Sequence, residues 1–195
     1  MTLSECSQRF CRRAVLQCPN PIEILRKTIW RMRGATIGSG SRLPRMEVTW
    51  PHQVRIGKSC VLQSNIFFNY DHYWRPGPSI IVGDRVFIGR GVEFNIQGRI
   101  EIGDDTLIAS GCTFVDHDHG FALRSPMNRQ QGEVQPIVVE SNVWIGANAV
   151  ILKGVVIGSN AVVGAGSVVT KRIPPGEVWV GNPARFTQKI VQSVE

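Results

Sequence analysis

The chain has 195 residues, of which 43% are hydrophobic, and a formal net charge of +7. This length suits one domain that buries a sizeable core. No apolar run approaches the roughly 18 residues that span a bilayer, and no continuous apolar stretch comes after the arginines near the N-terminus. We therefore expect a cytoplasmic location, with neither a transmembrane helix nor a secretory signal.

The positive charge is concentrated at the two ends of the chain. Residues 1–34 carry seven basic and two acidic side chains, residues 35–138 carry ten of each, and residues 139–195 carry five basic and three acidic. Basic ends suit anionic partners. Nucleic acid, acidic lipid and a phosphorylated cofactor all fit this pattern taken alone.

The first predicted element is a helix in the segment NPIEILRKTIWRMRG, with Asn20 as its N-cap and Gly34 as its stop. Four apolar residues would line one face: Ile22, Leu25, Ile29 and Trp30. Two roles remain open for this basic extension, residues 1–34. It closes the end of a solenoid core, or it lies on an acidic membrane surface.

A six-residue period organises most of the chain beyond this helix. From Val139 an aliphatic residue opens six consecutive units, and the same spacing occurs earlier in the chain. The units after residue 138 begin at Val139, Ile145, Ile151, Ile157, Val163 and Val169; the earlier ones begin at Ile37, Leu43, Ile56, Leu62, Phe68, Val82, Ile88, Phe94, Ile102, Ile108 and Phe114. This period fits neither a single helix nor an alternating strand. It indicates short strands and turns that stack as coils, with these residues pointing to one shared axis.

Three interruptions of the period are informative. The step from Phe94 to Ile102 is eight residues, and the step from Phe114 to Val139 is twenty-five, which predicts an extruded loop over about 115–136. A second, aromatic excursion covers residues 69–79. We expect coils over residues 35–178, and then a C-terminal tail with a short helix over 179–195.

The five cysteines do not suggest a disulfide framework. Their number is odd and no C-x-x-C pair occurs. Cys60 and Cys112 fall in strand-like segments and are expected to be small buried residues. Cys6, Cys11 and Cys18 match no common metal-site spacing.

The segment DHDHG, which starts at Asp116, carries two histidines at the opening of the predicted loop. In an extended backbone His117 and His119 project to the same side, as two metal ligands would. A catalytic zinc normally needs three protein ligands, and His52 and His72 stand in no matching pattern. An imidazole at this place also suits a general base, because its pKa lies near neutrality. A solvated polar loop is the remaining interpretation.

The hexads resemble those of the hexapeptide-repeat acyltransferases, and the resemblance covers about residues 35–190. It implies an all-β solenoid, a left-handed parallel β-helix, that assembles as a homotrimer. The segment DHDHG is similar to the version in polysaccharide O-acetyltransferases. The resemblance places the general base at His117, with Asp116 or Asp118 orienting it and His119 near the acceptor. It implies acetyl-CoA as co-substrate, a saccharide or other small-molecule acceptor, no metal and no nucleic-acid partner.

The resemblance also implies binding residues. Those for acetyl-CoA are Ala147, Ala165, Thr170, Lys171, Arg185 and Lys189, with Lys153 and Arg172 as further cations; those for the acceptor are Asn95 and Trp144. One family arginine position holds Gln188 here, so that Lys189 is expected to meet phosphate instead. A backbone N–H near Ala147 would stabilise the oxyanion.

The function predicted from the sequence is direct O-acetylation of a sugar hydroxyl in a surface polysaccharide or its precursor. The protein would work in the cytoplasm, with peripheral membrane association through the basic N-terminus as an alternative. Transfer to an amino sugar, serine or antibiotic stays open within the same class. A zinc-dependent carbonic anhydrase and a scaffold without activity are the alternatives outside it.

Overall fold

The computed structural model describes residues 21–123 and 125–191. Asn20, the three N-terminal cysteines and most of the basic extension lie outside these ranges. Helix α1 spans Pro21–Met32, and 3₁₀ helices span Pro51–Gln53 and Met127–Arg129. Within the described residues no helix is long and apolar enough to cross a membrane.

The strands, numbered in chain order, form three sheets. Sheet A contains β1 (Thr36–Ile37), β3 (Val54–Ile56), β6 (Ile80–Val82), β9 (Ile100–Ile102), β12 (Ile137–Val139) and β15 (Val156–Ile157). Sheet B contains β4 (Val61–Leu62), β7 (Phe87–Ile88), β10 (Leu107–Ile108), β13 (Trp144–Ile145), β16 (Val162–Val163), β18 (Glu177–Gly181) and β19 (Ala184–Lys189). Sheet C contains β2 (Glu47–Val48), β5 (Phe67–Tyr70), β8 (Glu93–Ile96), β11 (Thr113–Val115), β14 (Val150–Ile151) and β17 (Val168–Val169).

From β3 to β17, successive strands visit the three sheets in turn, so each of these coils adds one strand to each sheet. Within the described residues, all pairings between these strands are parallel except that of β18 with β19. The aliphatic residues that open the hexads are buried without exception. Phe68, Phe94 and Phe114 stack one above another, with ring centroids 4.9 and 5.0 Å apart. The predicted coil register is therefore confirmed.

Turn chemistry explains how the coils close and how tightly they stack. The fourth residue of a unit adopts a left-handed backbone conformation, as at Asn148 (φ 57°) and Gly166 (φ 67°), which asparagine and glycine tolerate. The second residue meets the next coil. A Cβ added at Gly146 would lie 2.5 Å from the backbone nitrogen of Ala165. Cys60 and Cys112 are buried in the interior, as expected.

Helix α1 packs against the first coil. Trp30 is buried and Ile29 partly buried, whereas Ile22 and Leu25 are about 60% exposed, so the expected four-residue apolar face is wrong. Polar groups complete the contact. Arg26 donates to the Leu43 carbonyl at 3.0 Å, and the Leu43 N–H donates to a helix carboxylate. The helix covers the open end of the core, as a solenoid requires.

The C-terminal helix expected within 179–195 is not formed by the described residues. Instead β19 runs antiparallel to β18 at the edge of sheet B, with Val180 opposite Arg185. An unpaired edge at β18 would leave backbone N–H and C=O groups without partners. A returning strand pairs with these groups, and a helix could not.

Candidate active site

The three sheets enclose the core as a triangular prism. All three informative interruptions of the six-residue period lie along one edge of this prism. We call it the C–A corner: the turns that lead from sheet C to sheet A. From the N-terminal to the C-terminal end, these turns cover residues 49–53, 71–79, 97–99, 116–136, 152–155 and 170–172. The extruded loop and the aromatic excursion are thus neighbours in space, although about 40 residues separate them in the chain.

The Asp116 carboxylate is fully buried at this corner and accepts three backbone hydrogen bonds. Its Oδ1 accepts from Gln97 N–H at 2.8 Å, and its Oδ2 accepts from Gly98 N–H at 2.8 Å and Arg99 N–H at 2.9 Å. These donors belong to the turn that the eight-residue step creates. The two additional residues therefore build a backbone cradle for one carboxylate, which the spacing of residues alone did not predict.

His117 lies directly against this carboxylate. Its Nδ1 is 3.1 Å from Asp116 Oδ1, and its side chain is 6% exposed. Because the carboxylate only accepts, Nδ1 is the protonated nitrogen and Nε2 presents its lone pair. Nε2 has no hydrogen-bond partner within the described residues. The imidazole is held in the tautomer that a general base needs.

Asp118 does not orient His117, in contrast to one of the two expectations. Its Oδ2 forms an ion pair with Lys153 Nζ at 2.5 Å, and Lys153 also contacts Glu133 Oε2 at 2.7 Å. The Glu133 N–H donates to Asp118 Oδ1 at 2.8 Å. The hydrogen bond from Lys153 lowers the pKa of both carboxyl groups, and these bonds raise the pKa of Lys153. This cluster clamps the two ends of the extruded loop together.

His119 lines an open cavity of about 860 Å³ at the C–A corner. The ring centroids of His119 and His117 are 6.4 Å apart, and the rings meet edge to face. The other lining residues come from four turns and the end of β5: Thr49, Trp50, Asn69, Tyr70, Asp71, His72, Tyr73, Trp74, Gln97, Asp118, Gln130, Gln131 and Gly132. The cavity thus extends from His119 to the aromatic excursion.

Asn95 lies on the outer face of sheet C, where strand β8 pairs with β11 ahead of the extruded loop. It stands opposite Val115, and its Oδ1 accepts from Asn69 Nδ2 at 3.0 Å. The position is in a strand, which removes the turn role that asparagine often plays. Asn95 is one coil below the strand that leads to His117.

Trp144 lies on a different face of the fold. It is 55% exposed on the outer face of sheet B. Its neighbours in the ladder form an apolar column, which we call the sheet B column: Val61, Phe87, Leu107, Trp144, Val162 and Val178. A single chain therefore does not bring Trp144 to His117.

The residues expected to bind the cofactor occupy three places. Ala147 and Ala165 lie in turns from sheet B to sheet C, one coil apart, and the Ala147 carbonyl accepts from Gly166 N–H at 2.8 Å. Thr170 and Lys171 are exposed at the C–A corner. Arg185 and Lys189 are exposed on β19, where Lys189 stands opposite Glu177.

Within the described ranges, no group of three histidine, cysteine or acidic side chains could hold a metal ion. His52 Nε2 forms a hydrogen bond with the Arg75 carbonyl at 2.9 Å, so this nitrogen is already engaged within the protein. His72 lines the cavity with a buried Nδ1 that has no hydrogen-bond partner among the residues that the structure describes.

A parallel solenoid of hexads is typical of a class of transferases, and similarity to known proteins identifies the family. Residues 136–171 match the model described as bacterial transferase hexapeptide (six repeats), and residues 79–114 match the hexapeptide repeat of succinyl-transferase. The chain belongs to the hexapeptide-repeat acyltransferase family, and its coils form a left-handed parallel β-helix.

Individual relatives agree with this assignment. The chain is 34% identical to a galactoside O-acetyltransferase of Escherichia coli, over 69% of this chain and 63% of that protein. It is 29% identical to a protein of Mycobacterium tuberculosis named as a probable acetyltransferase, over 92% of this chain and 56% of that one. The chain thus spans less than two thirds of either relative's length.

A solved structure of a hexapeptide-repeat acetyltransferase from Vibrio cholerae, complexed with acetyl coenzyme A, superposes with a TM-score of 0.64. The two chains are 29% identical, and the match covers 87% of this chain and 79% of that one.

Proposed function

We propose that this protein is an acetyl-CoA-dependent O-acetyltransferase that acts on a sugar hydroxyl, with Nε2 of His117 as the general base. The observation that carries the proposal is the buried pair of His117 and Asp116. It holds one nitrogen as a donor and leaves the other without a partner in the described residues. The names of the relatives, which include a galactoside O-acetyltransferase, support acetyl transfer and a sugar acceptor.

In the proposed reaction, Nε2 takes the proton of the acceptor hydroxyl as its oxygen forms a bond to the thioester carbonyl carbon. The carbonyl becomes a tetrahedral oxyanion, which a backbone N–H near Ala147 would stabilise. Collapse breaks the carbon–sulfur bond, and the departing thiolate takes the proton from the imidazolium. Asp116 stabilises that imidazolium through the bond at Nδ1.

No covalent acyl-enzyme is included in this proposal. Cys60 and Cys112 are the cysteines in the described residues, and both are buried inside the prism. Burial raises the pKa of both thiols, which disfavours the nucleophilic thiolate. Direct attack by the acceptor needs only the base and a polarised thioester.

The residues present suit the co-substrate. The side chains of Ala147 and Ala165 are small, so a pantetheine arm could approach the backbone of their turns. The exposed cations Lys171, Arg185 and Lys189 provide partners for phosphates. Lys153 is excluded from that role because the loop clamp engages it. The acetyl coenzyme A complex of the Vibrio cholerae relative supports this ligand.

The proposed functional unit is a homotrimer. The sheet B column exposes Val61, Leu107 and Trp144 by 44, 50 and 55%, and a contiguous apolar strip of this kind is typical of a protein interface. Association through sheet B would allow Trp144 and the small residues of one protomer to approach the His117 corner of its neighbour, giving three sites in a closed ring. We place this trimer in the cytoplasm, with the basic N-terminus as a contact to an acidic membrane surface.

The test is a transfer assay with radiolabelled acetyl-CoA and a panel of sugars and cell-envelope saccharides. The wild type should yield acetylated product that mild alkali releases, because esters are labile where amides are not. His117→Asn should lose transfer by about 10²–10⁴-fold, while it keeps the oligomeric state and the thermal stabilisation by acetyl-CoA. His119→Asn should retain most of the maximal rate.

Four outcomes would contradict the proposal. Alkali-resistant product would indicate an amine acceptor. Near-normal turnover of His117→Asn would remove that residue as the base. Stoichiometric zinc with CO₂ hydration would indicate an anhydrase, and an unchanged melting temperature with acetyl-CoA would indicate a scaffold.

A further inference from the structure

Three exposed aromatic side chains line the same cavity as His119. We call Trp50, His52, Tyr73 and Trp74 the aromatic platform. Trp50 is 37% exposed, Trp74 63% and Tyr73 85%. The His52 ring connects two of them, with centroids 5.8 Å from Trp50 and 5.7 Å from Trp74. Exposed aromatic residues in such a cluster indicate a surface that binds a ligand.

The backbone that carries the platform is anchored to the coil beneath it. Gln53, which is fully buried, donates from Nε2 to the Arg75 carbonyl at 2.6 Å. Its own carbonyl accepts from Ser79 N–H at 3.0 Å. Between these contacts, a Cβ at Gly77 would lie 2.5 Å from the His52 carbonyl oxygen. Only glycine allows that approach, so the excursion is built to hold its aromatic residues in place.

The cavity that three platform residues line is also lined by His119, the neighbour of the proposed base. Trp50, Tyr73 and Trp74 line the same cavity as His119, whose ring is 6.4 Å from that of His117. A volume of about 860 Å³ is in the range that holds a drug-sized ligand, and one sugar ring is much smaller. An acceptor hydroxyl beside His117 therefore leaves the platform free for something attached to the same molecule.

We propose that the aromatic platform binds the sugar rings that neighbour the acetylated one, so that the acceptor is a saccharide chain of at least two rings. This inference rests on the proposed sugar acetylation and names its substrate class more narrowly. The C–H face of a sugar ring packs on an indole or phenol face, which presents a large, rigid contact area. The polar side chains that line the cavity provide hydrogen bonds for ring hydroxyls: Asp71, Gln97, Gln130 and Gln131.

The test is isothermal titration calorimetry of the wild-type protein without acetyl-CoA. The probes are glucose, maltose and maltotetraose, and N-acetylglucosamine with its dimer and tetramer. In at least one series, affinity should rise with chain length from one to four rings. Trp74→Ala and Tyr73→Ala should each lower the affinity for that tetramer about fivefold to tenfold, or roughly 1–1.4 kcal/mol, and leave the weak binding of the single sugar unchanged.

Phe121→Ala is the matched control. Phe121 is 77% exposed on the extruded loop and is not among the residues that line the cavity. Its loss should therefore change neither the affinity for the tetramer nor that for the single sugar. Affinity that is independent of chain length in both series, or equal effects of Trp74→Ala on monomer and tetramer, would overturn the inference. Because binding is measured without turnover, a protein that binds chains but acetylates none would contradict the proposed function alone.

Discussion

Replacing Asp116 by asparagine tests whether the buried carboxylate controls the proposed base. The new side chain has the same shape, but one of its two oxygens becomes an NH₂ donor. In the wild type these oxygens accept from three backbone N–H groups and from His117 Nδ1. If the amide oxygen stays with Gly98 and Arg99, the NH₂ group faces Gln97 N–H and the imidazole. His117 then has to accept at Nδ1 and carry its proton on Nε2, which removes the base.

The magnitude can be worked out from the lost bonds. Hydrogen bonds to a charged group contribute about 1.5–3 kcal/mol each, and a buried donor that faces another donor costs about 1–3 kcal/mol. We therefore expect Asp116→Asn to lower the free energy of unfolding by roughly 2–4 kcal/mol. We expect the transfer rate to fall about 10²–10⁴-fold, the range for a misoriented or lost general base.

The assays are chemical denaturation for stability and single-turnover acetyl transfer at saturating acetyl-CoA. Asp105→Asn is the matched control. Asp105 forms an exposed pair with Arg85 on another corner, so transfer should be unchanged. A folded Asp116→Asn protein whose single-turnover rate stays within about threefold of the wild type would refute the role of Asp116 in orienting the base.

Two further predictions concern the loop and the coils. Lys153→Ala should speed hydrogen exchange in the extruded loop, because it removes the clamp on Asp118 and Glu133. The pKa of both carboxyl groups is lowered in the fold, so the clamp is present above their ordinary pKa range and lost as pH falls through the depressed values. Wild-type loop exchange should therefore approach that of Lys153→Ala only in acid, and a difference that persists at low pH would contradict the ion-pair explanation. Gly146→Ala should lower the free energy of unfolding by about 1–3 kcal/mol, because its Cβ would lie 2.5 Å from the backbone of the next coil. Gly166→Asn should lower it much less, because Gly166 has open space around it and a φ of 67°. Equal unfolding midpoints for the two variants would contradict this packing argument.

The coil architecture was readable from the sequence because a hexad repeats a local rule. An aliphatic residue such as Ile145 is buried, the glycine after it allows the next coil to approach, and Asn148 takes the left-handed turn. Each unit contacts mainly its neighbours, so local spacing specifies the stack. The extruded loop was predicted for the same reason, since it appears as a departure from that spacing.

Errors occurred where a contact partner is distant in sequence. The C-terminal segment pairs with β18 as a strand, because the edge of sheet B offers hydrogen-bonding groups that no local pattern reveals. In α1, Ile29 and Trp30 are the apolar residues packed against the core, while Ile22 and Leu25 stay about 60% exposed, since the orientation of the helix on the first coil decides which face is buried.

The spacing of residue types by itself determined the solenoid, the residues in its interior, and the loop on which the histidine pair lies. The tertiary structure alone decided that Asp116 orients His117 while Asp118 binds Lys153. It also brought the aromatic excursion to the same cavity as His119. The physical reason is that backbone donors from residues 97–99 and a lysine one coil further on select between two adjacent carboxylates. Stacking places those groups side by side, whereas the linear sequence keeps them about 20 to 35 residues apart.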